Sequence, residues 1–204
     1  MTVPVNPADF TGAASPIGDD EAVNAALRLL ASGFTRRDDV ATLIRAGGVG
    51  IELGVAAGDF SERILNRSQI RYLYSIDMWA GDRGHGVDQY KEAVRRLHPH
   101  RDRNALLRMR FDEALDLFDG QSLDFIYVDG YAHTGEENGR TFDDWYPKLK
   151  HGGIIAGDDY HSDWPLVMAA VNEFIRRNEL VLHVIQCQEN AWNSMYPTWF
   201  AMKP

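Results

Sequence analysis

A single cysteine, Cys187, stands among the 204 residues of this chain, so no disulfide can close within it. That scarcity suits a reducing compartment. Long apolar runs are missing too, for nothing approaches the ~20 residues a bilayer span requires. The start, MTVPVNPADF, has neither the basic residues nor the apolar stretch of a secretory signal. Positive charge is the third shortage. Lys and Arg number 21 against 30 Asp and Glu, a formal net charge of -9. This disfavours nucleic acid, whose binding relies on cationic side chains displacing counterions. Internal repeats, low-complexity tracts and signs of a second domain are not found either. What remains is ordinary globular material, 45% hydrophobic, in a chain long enough to bury a core without staples. These observations predict a soluble, acidic, cytoplasmic protein with no membrane span.

Residues 1–19, closing in TGAASPIGD, show no apolar periodicity and read as a mobile N-terminal arm. The plainer reading is a disordered tail; a lid or a contact in a homo-oligomer are the others. Residues 20–204 read as one domain. From Asp19, DDEAVNAALRLLASG places Val23, Ala26, Leu27, Leu30 and Ala31 on one helical face, with Gly33 as a stop. A shorter helix is expected from Arg37 to Arg45. Strand-like and helical segments then alternate: VGIELGV before DFSERILNR, RYLYSIDMW before VDQYKEAVRRLH, and ALLRMRF before DEALDLF. SLDFIYVDG before GEENGRTFDDWYPKL and GGIIAGDD before PLVMAAVNEFIRRN complete the series. Such units predict a parallel sheet with helices on both faces. LVLHVIQCQ and MYPTWFAMK leave no room for a helix between them and predict an antiparallel pair at one edge. The expected fold class is α/β: a Rossmann-like, doubly wound, mostly parallel seven-stranded sheet with a C-terminal antiparallel hairpin.

In an open α/β sheet, ligands bind beyond the carboxyl ends of the strands. There the first strand runs into GIELGVAAGDFS, where Gly54, Ala56 and Gly58 let a backbone approach a ligand. The spacing is not G-x-G-x-x-G, and no lysine follows as in a P-loop, so a phosphate cradle is poorly supported. Glu52 beside the loop suits an ammonium or sulfonium group. Asp77 ends the second strand, where a carboxylate can accept from both hydroxyls of a ribose. The plainer readings are a simple turn for the glycines and a cap for Asp77. Their ordered combination points to an adenosine-bearing cofactor without phosphate.

Glu52-x-Gly54-x-Ala56-x-Gly58 resembles the first motif of class I S-adenosylmethionine-dependent methyltransferases, with Ala56 in place of the middle glycine, and Asp77 resembles the acid ending their second strand. LDFIYVDGYAH and FDDWYPKLKHGGIIAGDD are similar to the small bacterial macrocin- and mycinamicin-type sugar O-methyltransferases. The likeness covers roughly residues 45–203. It implies S-adenosylmethionine as cofactor, with Met78 and Trp79 flanking its ribose or adenine. By the same resemblance Asp112 meets the adenine amino group, with a helix N-cap as the equal alternative.

Asp129 ends the fourth strand, while Asp158 and Asp159 end the fifth. If those strands are neighbours, three carboxylates share one rim and repel. A hard divalent cation relieves that repulsion, and an oxygen-only set suits Mg²⁺ or Mn²⁺. The other reading is that some of the acids cap helices or pair with Arg140. In the resembling sugar enzymes, acids at these positions hold Mg²⁺. A metal bound by two neighbouring acceptor oxygens would lower the pKa of one and aim it at the methyl. Candidate bases are Asp129 and His133, with His161 behind them. Tyr131, Trp145 and Trp164 are candidates to line an acceptor site, although Trp145 suits the core better. The reading is a metal-dependent O-methyltransferase acting on a small-molecule or glycan acceptor, a vicinal diol of a sugar. A catechol or phenol acceptor is the runner-up. A metal-dependent hydrolase would use the acids and histidines without the loop or Asp77.

Overall fold

The computed structural model describes residues 16–81, 84–186 and 195–204. Most of the expected N-terminal arm and Cys187 lie outside the described residues. Helix α1, Pro16–Ala31, begins inside the stretch read as arm. Its apolar face is only partly used. Leu27 is buried, but Val23 and Leu30 of the predicted face are exposed. The reason is its docking site: α1 packs at the sheet edge against the short strand His183–Ile185, not across a broad sheet face. The next helical segment, Arg37–Leu43, is a 3₁₀ turn whose residues 37–41 are buried.

The strands are β1 Val49–Leu53, β2 Tyr72–Asp77, β3 Asn104–Arg108, β4 Leu123–Val128, β5 Leu149–Gly157, β6 His183–Ile185 and β7 Thr198–Met202. They form one sheet in the order β3-β2-β1-β4-β5-β7-β6. The first five are parallel, while β7 runs antiparallel to both β5 and β6. The closing pair therefore forms as expected, with β7 as the inner member. The helices joining the strands are α2 Asp59–Arg67, α3 Val87–Leu97, α4 Phe111–Ala114, α5 Arg140–Trp145 and α6 Pro165–Arg177. Because side chains alternate along a strand, fully buried β4 feeds two cores. Ile126 and Val128 join Phe142, Trp145 and Trp199 in one core. Phe125 and Tyr127 join Phe60, Ile64 and Phe200 in the other.

One expected helix starts late. In GEENGRTFDDWYPKL, only Arg140–Trp145 forms an α-helix of the ordinary hand. Before it, Glu136, Glu137 and Asn138 adopt φ of 55°, 56° and 57°, between Gly135 and Gly139, which are also at positive φ. A left-handed turn costs side-chain-bearing residues roughly 1–2 kcal/mol each. Its anchor is Glu136, which is buried and accepts the Tyr131 N–H at 3.0 Å.

Order reverses between β1 and β4, where chains leave the sheet in opposite directions. The crevice at that switch point is where the fold presents ligands.

Candidate functional site

Two loops meet at the switch point, one after β1 and one after β4. Gly54 sits at φ 97°, and a Cβ built on it would lie 1.9 Å from the carbonyl oxygen of Asp129. The first loop can touch the second only because residue 54 has no side chain. Gly58, at φ 82°, precedes α2 and faces Ala93 of α3, 3.2 Å from where a Cβ would stand. Both glycines thus serve close packing. Ala56 and Ala57, half-buried at the loop crest, are the small residues left facing outward.

Asp77 holds this loop in shape. One carboxylate oxygen accepts the Val55 and Ala56 N–H groups at 3.0 Å each, and the other accepts the Trp79 N–H at 2.9 Å. A carboxylate has about four acceptor positions, so capacity for a further hydroxyl remains. Trp79 is buried against Tyr90 and donates its Nε1–H to the Ala56 carbonyl at 2.8 Å. It braces the loop from behind. Met78 is half-buried, with its sulfur 3.9 Å from the Tyr131 hydroxyl. Glu52 is only 1% exposed and accepts a hydrogen bond from Ser61. Ser61 contacts Ser75 at 2.8 Å, and Ser75 accepts from Asn104 at 2.9 Å. Burial raises the Glu52 carboxyl to about 8, against the opposing pull of the Ser61 bond and Arg37. Burial thus favours its neutral form beneath the loop. Asp112, near the start of α4, is exposed and paired through both oxygens with Arg110 at 2.8 Å. It lines an open cleft with Arg110, Tyr131, Glu137 and Arg140.

The rim acids converge as expected, because β4 and β5 are neighbours and Val128 pairs with Gly157. Their cation was not foreseen. It is Arg37, from the 3₁₀ turn, whereas Arg140 pairs with Asp144. Arg37 is buried; Nη2 donates to Asp129, Nη1 lies 3.1 Å from Asp158, and Nε donates to the Tyr127 hydroxyl at 2.9 Å. Its guanidinium carbon also stands 4.0 Å from the centre of the Phe60 ring. Asp158 additionally accepts from Thr198 at 3.3 Å. Asp159, at φ 61°, is raised well above the usual carboxylate range, first by burial and then by Asp129 and Asp158. Burial likewise raises Glu136, to about 7.

Residues so arranged do not fit a divalent ion. Oxygens of Asp129 and Asp158 already face a guanidinium, and no group of three or more His, Cys, Asp or Glu among the described residues is placed to hold a metal. The candidate bases differ in reach. The Asp129 side chain is 27% exposed at the rim. His133 is exposed and meets the Trp164 ring edge-on at 4.8 Å. His161 accepts the Asp163 N–H at 3.2 Å and packs on Tyr196. Tyr131 borders the cleft and Trp164 is half-buried, while Trp145 is a core residue.

A family model described as a methyltransferase domain matches residues 51–160. An uncharacterised protein of Sinorhizobium fredii, y4gI, is 30% identical over 109 residues, 52% of this chain. This chain spans 11% of that relative's length. Similar folds include a precorrin-6y C5,15-methyltransferase from Geobacter metallireducens, with TM-score 0.60, 15% identity and coverage of 81% and 85% of the two chains. A SAM-dependent O-methyltransferase from Thermotoga maritima has TM-score 0.58 at 14% identity, covering 80% and 63%. A spermidine synthase from Thermotoga maritima reaches 0.60 at 15%, covering 80% and 56%. At such identities the likeness is one of fold, and these three enzymes show that the fold does not dictate the acceptor.

Proposed function

The chain belongs to the methyltransferase-domain family, and on that premise we propose that it methylates a hydroxyl of a small vicinal diol, a sugar of a glycan or glycosylated natural product. The observation carrying this reading is the packing of Gly54 against Asp129, which sets a donor loop directly beside a rim carboxylate. S-adenosylmethionine, when bound, supplies an electrophilic methyl on a sulfonium centre. The residues present suit it. Asp77 retains room for a ribose hydroxyl, small residues from Gly54 to Gly58 leave the loop crest open, Met78 meets the Tyr131 hydroxyl, and Asp112 lines the same cleft as Tyr131. Glu52 and Trp79 serve from beneath by fixing the loop.

Asp129 is the base of this proposal, because its side chain is partly exposed at the rim beside the β1 loop. Arg37 fixes its orientation and Glu136 shapes the loop that follows. His133 is the second proton acceptor on the same loop. No step passes through Mg²⁺ or Mn²⁺, since Asp129 and Asp158 already share the Arg37 guanidinium. The sugar acceptor rests on the sequence resemblance alone.

A mass-shift screen of sugar and catechol acceptors with S-adenosylmethionine tests the proposal. A gain of one methyl on a sugar hydroxyl is expected, with Asp129→Asn losing about 10²–10⁴-fold in turnover, the usual worth of a general base. Phosphoester hydrolysis without any methyl transfer would overturn it in favour of a hydrolase.

A further inference from the structure

We propose that Arg37 is the resident cation of the acidic rim, so that the site needs no divalent ion. Its guanidinium bridges Asp129 and Asp158 from neighbouring parallel strands, the task a dication would perform for such a pair. All three of its nitrogens are engaged, Nε with Tyr127, and the charge rests over the Phe60 face at 4.0 Å. A planar fork suits two carboxylates better than a point charge does.

The placement is built into the fold. Asp38, beside Arg37, pairs with Arg67 at 3.2 Å, and Arg63 stands 3.8 Å from it. Asp39 accepts the N–H groups of Thr35 and Arg36 at 2.9 Å each. Asp38 and Asp39 both pair with Arg67, so the turn is bolted to α2 while Arg37 reaches inward. Arg37 also precedes the family-matched residues 51–160. A segment outside the family-matched residues therefore supplies this charge. A divalent ion placed on the same oxygens would meet a fixed positive charge.

The test is a Mn²⁺ titration read by solvent-proton relaxation, on the full chain without methyl donor or acceptor. Wild type is expected to show no site tighter than ~1 mM, the weak end of protein sites for hard cations. Arg37→Met keeps much of the length and drops the charge, and should gain a site at least about tenfold tighter. Adding Asp158→Asn should abolish that gain, and Arg37→Lys, which retains a charge, should show none. One Mn²⁺ bound per wild-type chain and removed by Asp158→Asn overturns the proposal. So does an Arg37→Met chain indistinguishable from wild type, or an Arg37→Lys chain that gains the same site as Arg37→Met. If Arg37→Met does not fold, the wild-type titration decides. The donor enters no arm, so failure here leaves the methyltransferase reading standing, and the converse holds.

Discussion

Gly54→Ala tests the junction of the two loops. The new Cβ would stand 1.9 Å from the Asp129 carbonyl oxygen and 2.5 Å from its carbon, where ordinary contact needs well over 3 Å. Neither loop can yield cheaply. Gly54 donates to the Ile76 carbonyl at 2.9 Å, and Asp129 donates to the Leu53 carbonyl at 2.8 Å, so both sides are tied to the parallel ladder. The obstacle is backbone, not the end of a flexible side chain. A left-handed φ of 97° adds about 1–2 kcal/mol for a residue with a Cβ. Forcing the overlap adds roughly 1–3 kcal/mol, for a total near 2–5 kcal/mol. That is a large part of the ~5–15 kcal/mol holding a domain together. Urea unfolding followed by tryptophan fluorescence measures it. Gly81→Ala is the matched control, because its φ is 95° and nothing lies within 4 Å of the added Cβ. It should show the conformational part alone. Equal midpoints for the two variants would refute the close-contact reasoning.

Further expectations concern the buried acids and the loop clamp. The Glu52 carboxyl is raised to about 8 and Glu136 to about 7, so the folded chain holds protons that the unfolded chain has released. Stability contributed by these groups is therefore full below the unfolded value near 4.5, falls as pH rises, and is gone above about 8. Urea midpoints across that window should show the decline, and Glu52→Gln should flatten part of it; an unchanged slope would argue that Glu52 is ionised in the fold. Arg37→Met should cost about 3–5 kcal/mol in urea unfolding, since it strands carboxylates that a buried partner had balanced. Asp77→Ala removes acceptors from three loop N–H groups and should lose at least about 1.5–3 kcal/mol of stability, the range for one hydrogen bond to a charged group. An unchanged midpoint would show that water serves the loop as well.

The alternation of β and α segments was readable because each strand is a short apolar run bounded by turn residues. The meeting of Asp129 with Asp158 and Asp159 followed from placing β4 beside β5. Arg37 was not readable. It stands 92 residues before Asp129, in a Arg-Arg-Asp-Asp run that by composition resembles a solvated charge patch. Only the packing of that turn on α2 reveals it. The face of α1 misled for a related reason: period shows which side of a helix is apolar, but not how wide a surface it will meet. Asp77 was placed correctly at its strand end, yet no spacing says that its oxygens would hold the backbone of the loop. The left-handed turn from Gly135 to Asn138 left one trace, the glycines at both ends of GEENG.

Calorimetric titration with S-adenosylhomocysteine, the demethylated donor, tests the central claim most directly. One site per wild-type chain is expected, weakened at least about tenfold, or roughly 1.4 kcal/mol, in Asp77→Ala and preserved in Asp129→Asn. No binding to wild type, or binding unaffected by Asp77→Ala, would contradict a donor site built on the β1 loop and the end of β2.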